Sequence, residues 1–222
     1  KSTQVVSMSS TQVNAISTTA LSGAKGSQLA LLSTQQVHDL STTSVASLTT
    51  AQIASLTTDQ IVGLITAQLV SLATDRIASL TASQVAAIET ADVSKLTNEQ
   101  IAAISTAGIN ALTATASGQI DQLTASQLSS LTTSQVVALS TDAVKALSTA
   151  QISKLTAEQV AVLTTGQVSA LTAGSIGALT TAQVGALTTS QVTALSNANI
   201  VALSTAQVAA LSTAQVVALT TG

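Results

Sequence analysis

The sequence predicts an all-α protein: a solenoid, or superhelix, of very short helices, with one helix in each octapeptide repeat. Three observations predict this fold. An eight-residue unit repeats through nearly the whole chain, each unit carries the residues that begin a helix, and the few charged residues are sorted as the helix dipole favours. The 222-residue chain contains no Phe, Trp, Tyr, Pro or Cys, so its core has no aromatic anchors.

The repeat reads Leu-(Ser/Thr)-Thr-x-Gln-(Val/Ile)-x-Ala, and its positions are numbered one to eight from the leucine. Position one recurs every eighth residue from Met8 to Leu112 and again from Leu123 to Leu219. Position six is aliphatic in all 27 units from Val5 to Val216, and position five is Gln in 19 of them. Because position six keeps its character while its neighbours vary, it is predicted to be buried.

The register divides the chain into three segments. Residues 1–112 keep one register, residues 113–122 contain three extra residues, and residues 123–222 resume the octads, which we expect to continue the same solenoid. A milder irregularity spans Ala20 to Gly26 without a change of phase. Both ends of the sequence fall inside an octad without a polar capping repeat, so we expect either further repeats or head-to-tail self-association into a filament.

A continuous helix is excluded because each octad would advance its apolar stripe by about 80° around the helix. One short helix per octad avoids this difficulty. Thr180 is a predicted N-cap, Gln183 completes a capping box with it, and Leu179 and Val184 form a hydrophobic staple. The same offsets recur in most octads, so the prediction rests on the repeated pattern.

The rare charges agree with helices in this register. Five acidic residues share position four, in the first predicted turn: Asp59, Asp75, Glu99, Asp142 and Glu158. Lys95 and Lys154 stand at position eight, which is predicted to be the last turn, where the dipole favours cations. The alternative is a β-solenoid, because Val, Ile and Thr favour strands. Adjacent apolar residues at positions eight and one break the alternation that a strand requires.

No catalytic, cofactor-binding or metal-ligating residue is predicted, and we expect the protein not to be an enzyme. His38 is the only histidine, stands at a variable position beside Asp39, and is interpreted as a solvated surface side chain. The segment around Gly23, Lys25 and Gly26 lacks the order of a phosphate-binding loop. A net charge of −3 argues against a nucleic-acid partner, and no apolar run approaches the length of a membrane span.

Residues 203–222, which read LSTAQVAALSTAQVVALTTG, resemble the LTTAQVAA-type octapeptide arrays of very large bacterial surface or secreted proteins described as adhesins. This resemblance implies an extracellular, cell-surface location. More loosely, the pattern Leu-(Ser/Thr)-x-x-Gln-Leu-x-x-Leu is similar to runs in the mesothelin–stereocilin superhelical family, which implies short helices in a spiral. The proline that follows the cap in that family is absent here.

We therefore expect a structural extracellular repeat protein, either a stalk or a self-assembling filament subunit of a bacterial cell surface. The alternative is an adhesin or ligand-binding solenoid module that contacts a partner protein, a glycan or ice. A binding face should show local departures from the repeat, and the sequence places these at Ala20–Gly26 and Leu112–Gln122.

Overall fold

A computed structural model describes residues 7–115 and 118–221. Over these residues the chain forms 26 helices, most of them five or six residues long, and no strand. The prediction of one short helix per octad is confirmed, and the alternative of a β-solenoid is wrong. In chain order, the helices α1 to α26 are Ser10–Asn14, Thr18–Ser22, Gly26–Leu29, Thr34–His38, Thr42–Ala46, Thr50–Ser55, Thr58–Val62, Thr66–Ser71, Thr74–Ala78, Ala82–Ala86, Thr90–Val93, Asn98–Ala103, Thr106–Asn110, Gln119–Gln122, Ala125–Ser130, Thr133–Ala138, Thr141–Ala146, Thr149–Ile152, Ala157–Ala161, Thr165–Ala170, Ala173–Gly177, Thr181–Gly185, Thr189–Thr193, Asn197–Val201, Thr205–Ala209 and Thr213–Thr221.

The chain divides into two compact units, Lys1–Leu112 and Thr113–Gly222. In the first unit most helices pack against the third helix after them, as α1 does with α4 and α2 with α5. The second unit repeats this arrangement, as in the pairs α14 with α17 and α15 with α18. Each unit is therefore a solenoid in which a helix stacks against the helix about three octads further along the chain.

In most octads the helix begins with the predicted capping box. In the octad of α22, the amide N–H of Thr180 donates to Gln183 Oε1 at 2.7 Å, and the amide of Gln183 donates to Thr180 Oγ1 at 3.2 Å. Lys25 and Ile65 stand at the N-cap without a side-chain acceptor, so only the bond from their own amide to the position-five Gln is present. The capping prediction is confirmed because both halves recur at the predicted offsets.

Several helices have the leucine of the next octad as their C-cap, in extended backbone, whereas others have a position-eight C-cap in the αR conformation, as at Ala186. Leu56, for example, has φ −62° and ψ 143°, and its amide donates to the carbonyl of Ile53 at 3.2 Å. Positions one and six form the core: Ile53 and Val184 are fully buried, and Leu187 is nearly so. The predicted burial of position six is confirmed in the interior of both units. Val208 and Val216, also at position six, are exposed because no later coil of this chain covers them.

The glutamine at position five has a second role that its place in the capping box does not reveal. Gln167 accepts from the amide of its N-cap Thr164 through Oε1 at 2.8 Å, and its Nε2 reaches the preceding coil. There Nε2 donates to the carbonyls of Val136 at 2.9 Å and Leu139 at 2.8 Å, which lie 31 and 28 residues earlier. One buried amide thus begins its own helix and satisfies the carbonyls at the end of a helix one coil below.

We call this set of contacts the amide ladder. Within the first unit its bonds to the preceding coil are made by Gln36, Gln52, Gln60, Gln68, Gln84 and Gln100. Within the second unit they are made by Gln151, Gln159, Gln167, Gln183, Gln191, Gln207 and Gln215. Two other residue types replace Gln as donor to the carbonyl 28 residues earlier: Arg76 Nε donates to Leu48, and Asn199 Nδ2 donates to Leu171.

The predicted sorting of charges is confirmed for the acids and wrong for the lysines. All five position-four acids lie in the first turn of their helices. Lys95 and Lys154 lie outside helices, one residue after the C-caps Ser94 and Ser153. The reason is that α11 and α18 have only four residues and end at position six, so position eight already belongs to the connection.

Candidate functional site

His38 lies at the C-terminal end of α4 on the surface of the first unit. Its side chain is about half exposed, and its Nδ1 is 3.2 Å from Asp39 Oδ1 and 3.4 Å from Gln35 Nε2. Gln35 Nε2 also donates to Asp39 Oδ1 at 2.8 Å. The three side chains form a small polar cluster along one face of the helix. In the described part of the chain, no group of three or more His, Cys, Asp or Glu residues is arranged to hold a metal ion.

The irregular segment Ala20–Gly26 lines a small apolar hollow at the start of the first unit. The hollow has a volume of about 150 Å³ and is bordered by Met8, Ile16, Ala20 and Ala24. Position one is occupied here by Met, Ile and Ala, and each of these side chains is only half-buried. Of these three, only Ala24 is smaller than the leucine of later octads, so the space at Ala24 is left unfilled.

The three extra residues of segment 113–122 enter between the two halves of a capping box. The amide and the hydroxyl of Thr113 still bond reciprocally with Gln119, although six residues now separate the pair: Thr113 N donates to Gln119 Oε1 at 3.1 Å, and Gln119 N donates to Thr113 Oγ1 at 2.9 Å. A Cβ on Gly118 would lie 2.6 Å from the Thr113 carbonyl oxygen, so the turn requires glycine. Residues 116 and 117 lie outside the described residues. The insertion thus preserves the helix start.

An open cleft of about 570 Å³ lies beside this insertion, within the second unit. It is lined by Ala114 and Thr115 of the loop and by the charged residues Asp121, Asp142 and Lys145. Asp142 stands in the first turn of α17 and Lys145 in its last turn, where the helix dipole favours each charge. The cleft brings together two carboxylates and one ammonium group at a predicted departure from the repeat.

A second open cleft, of about 430 Å³, lies within the first unit. The sequence did not predict a site here. The cleft is lined by parts of four octads, including His38, Val62, Ile65, Glu89 and Asp92. Three of these residues break the repeat: Ile65 and Glu89 replace the Ser or Thr of position two, and Asp92 replaces the Gln of position five. These exceptions are visible in the sequence. They are dispersed along it, however, and only the coil spacing brings them together.

Two of the acids at position four, Glu99 and Glu158, have electrostatic environments set by the helix start. The amide of Glu99 itself and the hydroxyl of its N-cap Thr97 both hydrogen-bond the carboxylate and lower the pKa of Glu99. The amide of Glu158 and the hydroxyl of Thr156 lower the pKa of Glu158 in the same way. Ordered N–H and O–H donors stabilise the charged form, which is a stabilising role at a helix N-terminus.

The fold defines the class of protein: an all-helical solenoid built from octapeptide repeats. Residues 85–116, 144–173, 170–197 and 192–221 match the ALTTAQ repeat family, which supports an octapeptide-type repeat family for this chain. Residues 178–183 spell this motif, from the half-buried Ala178 to the ladder residue Gln183. The comparison with curated proteins finds no match. The resemblances to bacterial adhesin-like arrays and to the mesothelin–stereocilin family stay predictions.

None of the helices in the described ranges is long and apolar enough to cross a membrane.

Proposed function

We propose that this chain serves as a structural element of an extracellular repeat protein on a bacterial cell surface, either a stalk or a filament subunit. The observation that carries the proposal is the amide ladder. Since most octads within each unit are fastened to the preceding coil by the same glutamine contacts and the same two core positions, a unit can be lengthened octad by octad without any new type of contact. The bacterial surface location rests on the sequence resemblance.

Extension of the array is supported by open ladder positions in the first and last coils. Gln12 and Gln28 are exposed and accept from their own N-cap residues, and no coil of this chain precedes them to receive their Nε2 donors. In the last coil of the second unit, Val208 and Val216 form an exposed row of position-six side chains that a following coil would cover. Further octads or a second copy of the chain satisfy both surfaces with contacts already used inside each unit.

Sedimentation over a concentration series tests the filament form of the proposal. We expect the chain to associate as concentration rises, and we expect Val208→Asp together with Val216→Asp to abolish association while the far-UV circular dichroism stays unchanged. Val201→Asp is the matched control, because Val201 is exposed at position seven, outside the position-six row. A wild-type chain that stays monomeric throughout contradicts the filament form.

Electron microscopy tests the stalk form by length. A stalk predicts discrete rods whose length increases in proportion to the number of octads when further consensus octads are added to the chain. Particles that do not lengthen contradict an extended coil.

The second candidate function is an adhesin or ligand-binding module. It is favoured by the two clefts, because residues that depart from the repeat line both of them. A glycan array and a measurement of ice recrystallisation test the glycan and ice forms of this candidate. The expected discriminating result is binding that is lost when Asp142 and Lys145 are both replaced by alanine.

A further inference from the structure

The floor of the cleft in the first unit has lost a hydrogen-bond donor that the amide ladder supplies elsewhere. Asp92 occupies position five, and the carbonyl of Leu64, a residue that lines the cleft, lies 28 residues before it, a spacing at which ladder glutamines donate. A carboxylate accepts hydrogen bonds and has none to donate. The hydroxyl of Thr66 donates to Asp92 Oδ1. The floor therefore consists of oxygen acceptors around the place of a missing amide nitrogen.

Asp92 itself is deeply buried, with an exposed fraction of 6%. Burying a carboxylate is costly unless donors or a positive charge compensate it. The repeat would have avoided this cost with a glutamine, as it does in the neighbouring octads of Gln84 and Gln100. The exception thus introduces a buried negative charge at a position where the fold favours a neutral donor.

The mouth of the cleft adds a second carboxylate and an apolar wall. Glu89 is exposed at the N-cap of α11 and makes no side-chain capping bond. Val62 and Ile65, also lining the cleft, are 45% and 40% exposed. The wall approaches α4 closely at Gly63, where a Cβ would lie 2.6 Å from Thr34 Cγ2. Glycine at this point lets the two coils come together and form the cleft.

The charged groups that line the cleft are negative, apart from the titratable His38. Glu89 and Asp92 contribute the two carboxylates, and no lysine or arginine is among the residues that line this cleft in the described part of the chain. His38 Nδ1 lies 3.2 Å from Asp39 Oδ1, so its own element already provides an acidic neighbour. The cleft therefore combines exposed apolar surface with acceptors and negative charge, and lacks a matching cation.

We propose that this cleft binds a lysine side chain of a partner polypeptide. The ammonium group takes the place of the missing ladder nitrogen, where it donates to Asp92, to Glu89 and to the carbonyl of Leu64. Its aliphatic stem lies against Val62 and Ile65. Lysine suits this set better than arginine, because an ammonium group is a compact donor in three directions on a flexible apolar stem, whereas guanidinium is a wide planar fork.

The test is a calorimetric titration of the full 222-residue chain with the probe peptide acetyl-Gly-Ala-Lys-Ala-Gly-amide. We expect a Kd of about 1 mM, the range for a single charged side chain in an open cleft. The same peptide with norleucine in place of lysine keeps the aliphatic stem without the charge, and we expect it not to bind. The peptide with arginine and the free diamine cadaverine are titrated as competing ligand chemistries.

Three variants distinguish a loss of lysine-peptide binding from a loss of folding. D92Q and E89T each restore the repeat residue at their position, so the fold should be kept or stabilised, and each should weaken lysine-peptide binding about tenfold or more. E99Q removes an exposed acid of the next octad and should bind as the wild type does. Far-UV circular dichroism and the thermal midpoint of each variant confirm its folding.

The proposal is overturned by any of four results. These are no binding of the lysine peptide to the wild type at about 10 mM, equal binding of the norleucine peptide, equal binding to D92Q, and tighter binding of the arginine peptide. Cadaverine binding as tightly as the peptide overturns the assignment to a polypeptide partner.

Discussion

Replacing Gln167 by Glu removes the donor half of one ladder residue and keeps its capping half. Glutamate accepts from the N-cap amide as glutamine does, so the helix start is preserved. Its ionised carboxylate cannot donate to the carbonyls of Val136 and Leu139, which receive 2.9 Å and 2.8 Å bonds in the wild type. The carbonyl of Val136 keeps its bond from the amide of Leu139 at 3.2 Å, so the carbonyl of Leu139 is the buried acceptor that loses its donor. Losing that donor should lower the free energy of unfolding by about 1–3 kcal/mol.

The substitution also places a charge in a site where Gln167 is only 2% exposed. Burial raises the pKa of the introduced carboxyl group, because it disfavours the charged form. Protonation restores one donor, so the loss of stability should be greatest at neutral pH and should shrink as the pH falls towards the unfolded pKa of glutamate. Urea denaturation followed by far-UV circular dichroism, repeated across this pH range, measures both effects.

Gln12→Glu is the matched control. Gln12 has the same position in its octad and accepts from the amide of Ser9 at 2.8 Å, but it is exposed and no coil of this chain precedes it. We expect this change to be nearly silent. Equal losses at the two positions would show that the contacts of Gln167 with the preceding coil add no stability and would refute the ladder as a source of stability.

Three further predictions follow from burial, charge and backbone space. Val136→Asp should cost several kcal/mol, because it buries an unpaired charge, and Val137→Asp at the exposed next position should be nearly neutral; equal denaturation midpoints would show that the two faces are misassigned. The lowered pKa of Glu158 means that its stabilising contribution is present above its unfolded pKa and is lost as the pH falls through the folded pKa, so Glu158→Gln should differ from the wild type near neutral pH and converge with it in acid. Gly174→Ala should stabilise α21 by up to about 1 kcal/mol in thermal denaturation, since its Cβ finds ordinary contacts, whereas Gly118→Ala should destabilise because its Cβ would meet carbonyl oxygens at 2.6 and 2.7 Å.

The helices and the core could be predicted because both are encoded within a single octad. Thr180 and Gln183 reveal the helix start from a spacing of three residues, and Val184 reveals the core by its unvarying type. The C-terminal ends of the helices could be predicted less well from the sequence. Lys95 lies beyond its helix, since the point at which a four-residue helix stops depends on how the next leucine packs.

Contacts between coils could not be predicted, because the residues of a single octad do not determine how many octads make up a coil. The bond from Gln167 to Val136 spans 31 residues, and this distance follows from how successive helices turn against one another. The cleft of Glu89 and Asp92 depends on the same spacing, which brings Ile65 beside them. Each of these residues is recognisable as an exception to the repeat, while their proximity follows from three-dimensional packing.

Hydrogen exchange of the glutamine side-chain amides, measured by NMR, tests the amide ladder most directly. The Nε2 protons of Gln60, Gln159 and Gln167 donate to buried carbonyls of the preceding coil, whereas those of Gln12 face no coil of this chain. The ladder predicts that the side-chain protons of the first three exchange far more slowly than those of Gln12 under native conditions. Equally fast exchange at all four residues would contradict the claim that buried glutamine amides fasten one coil of the solenoid to the next.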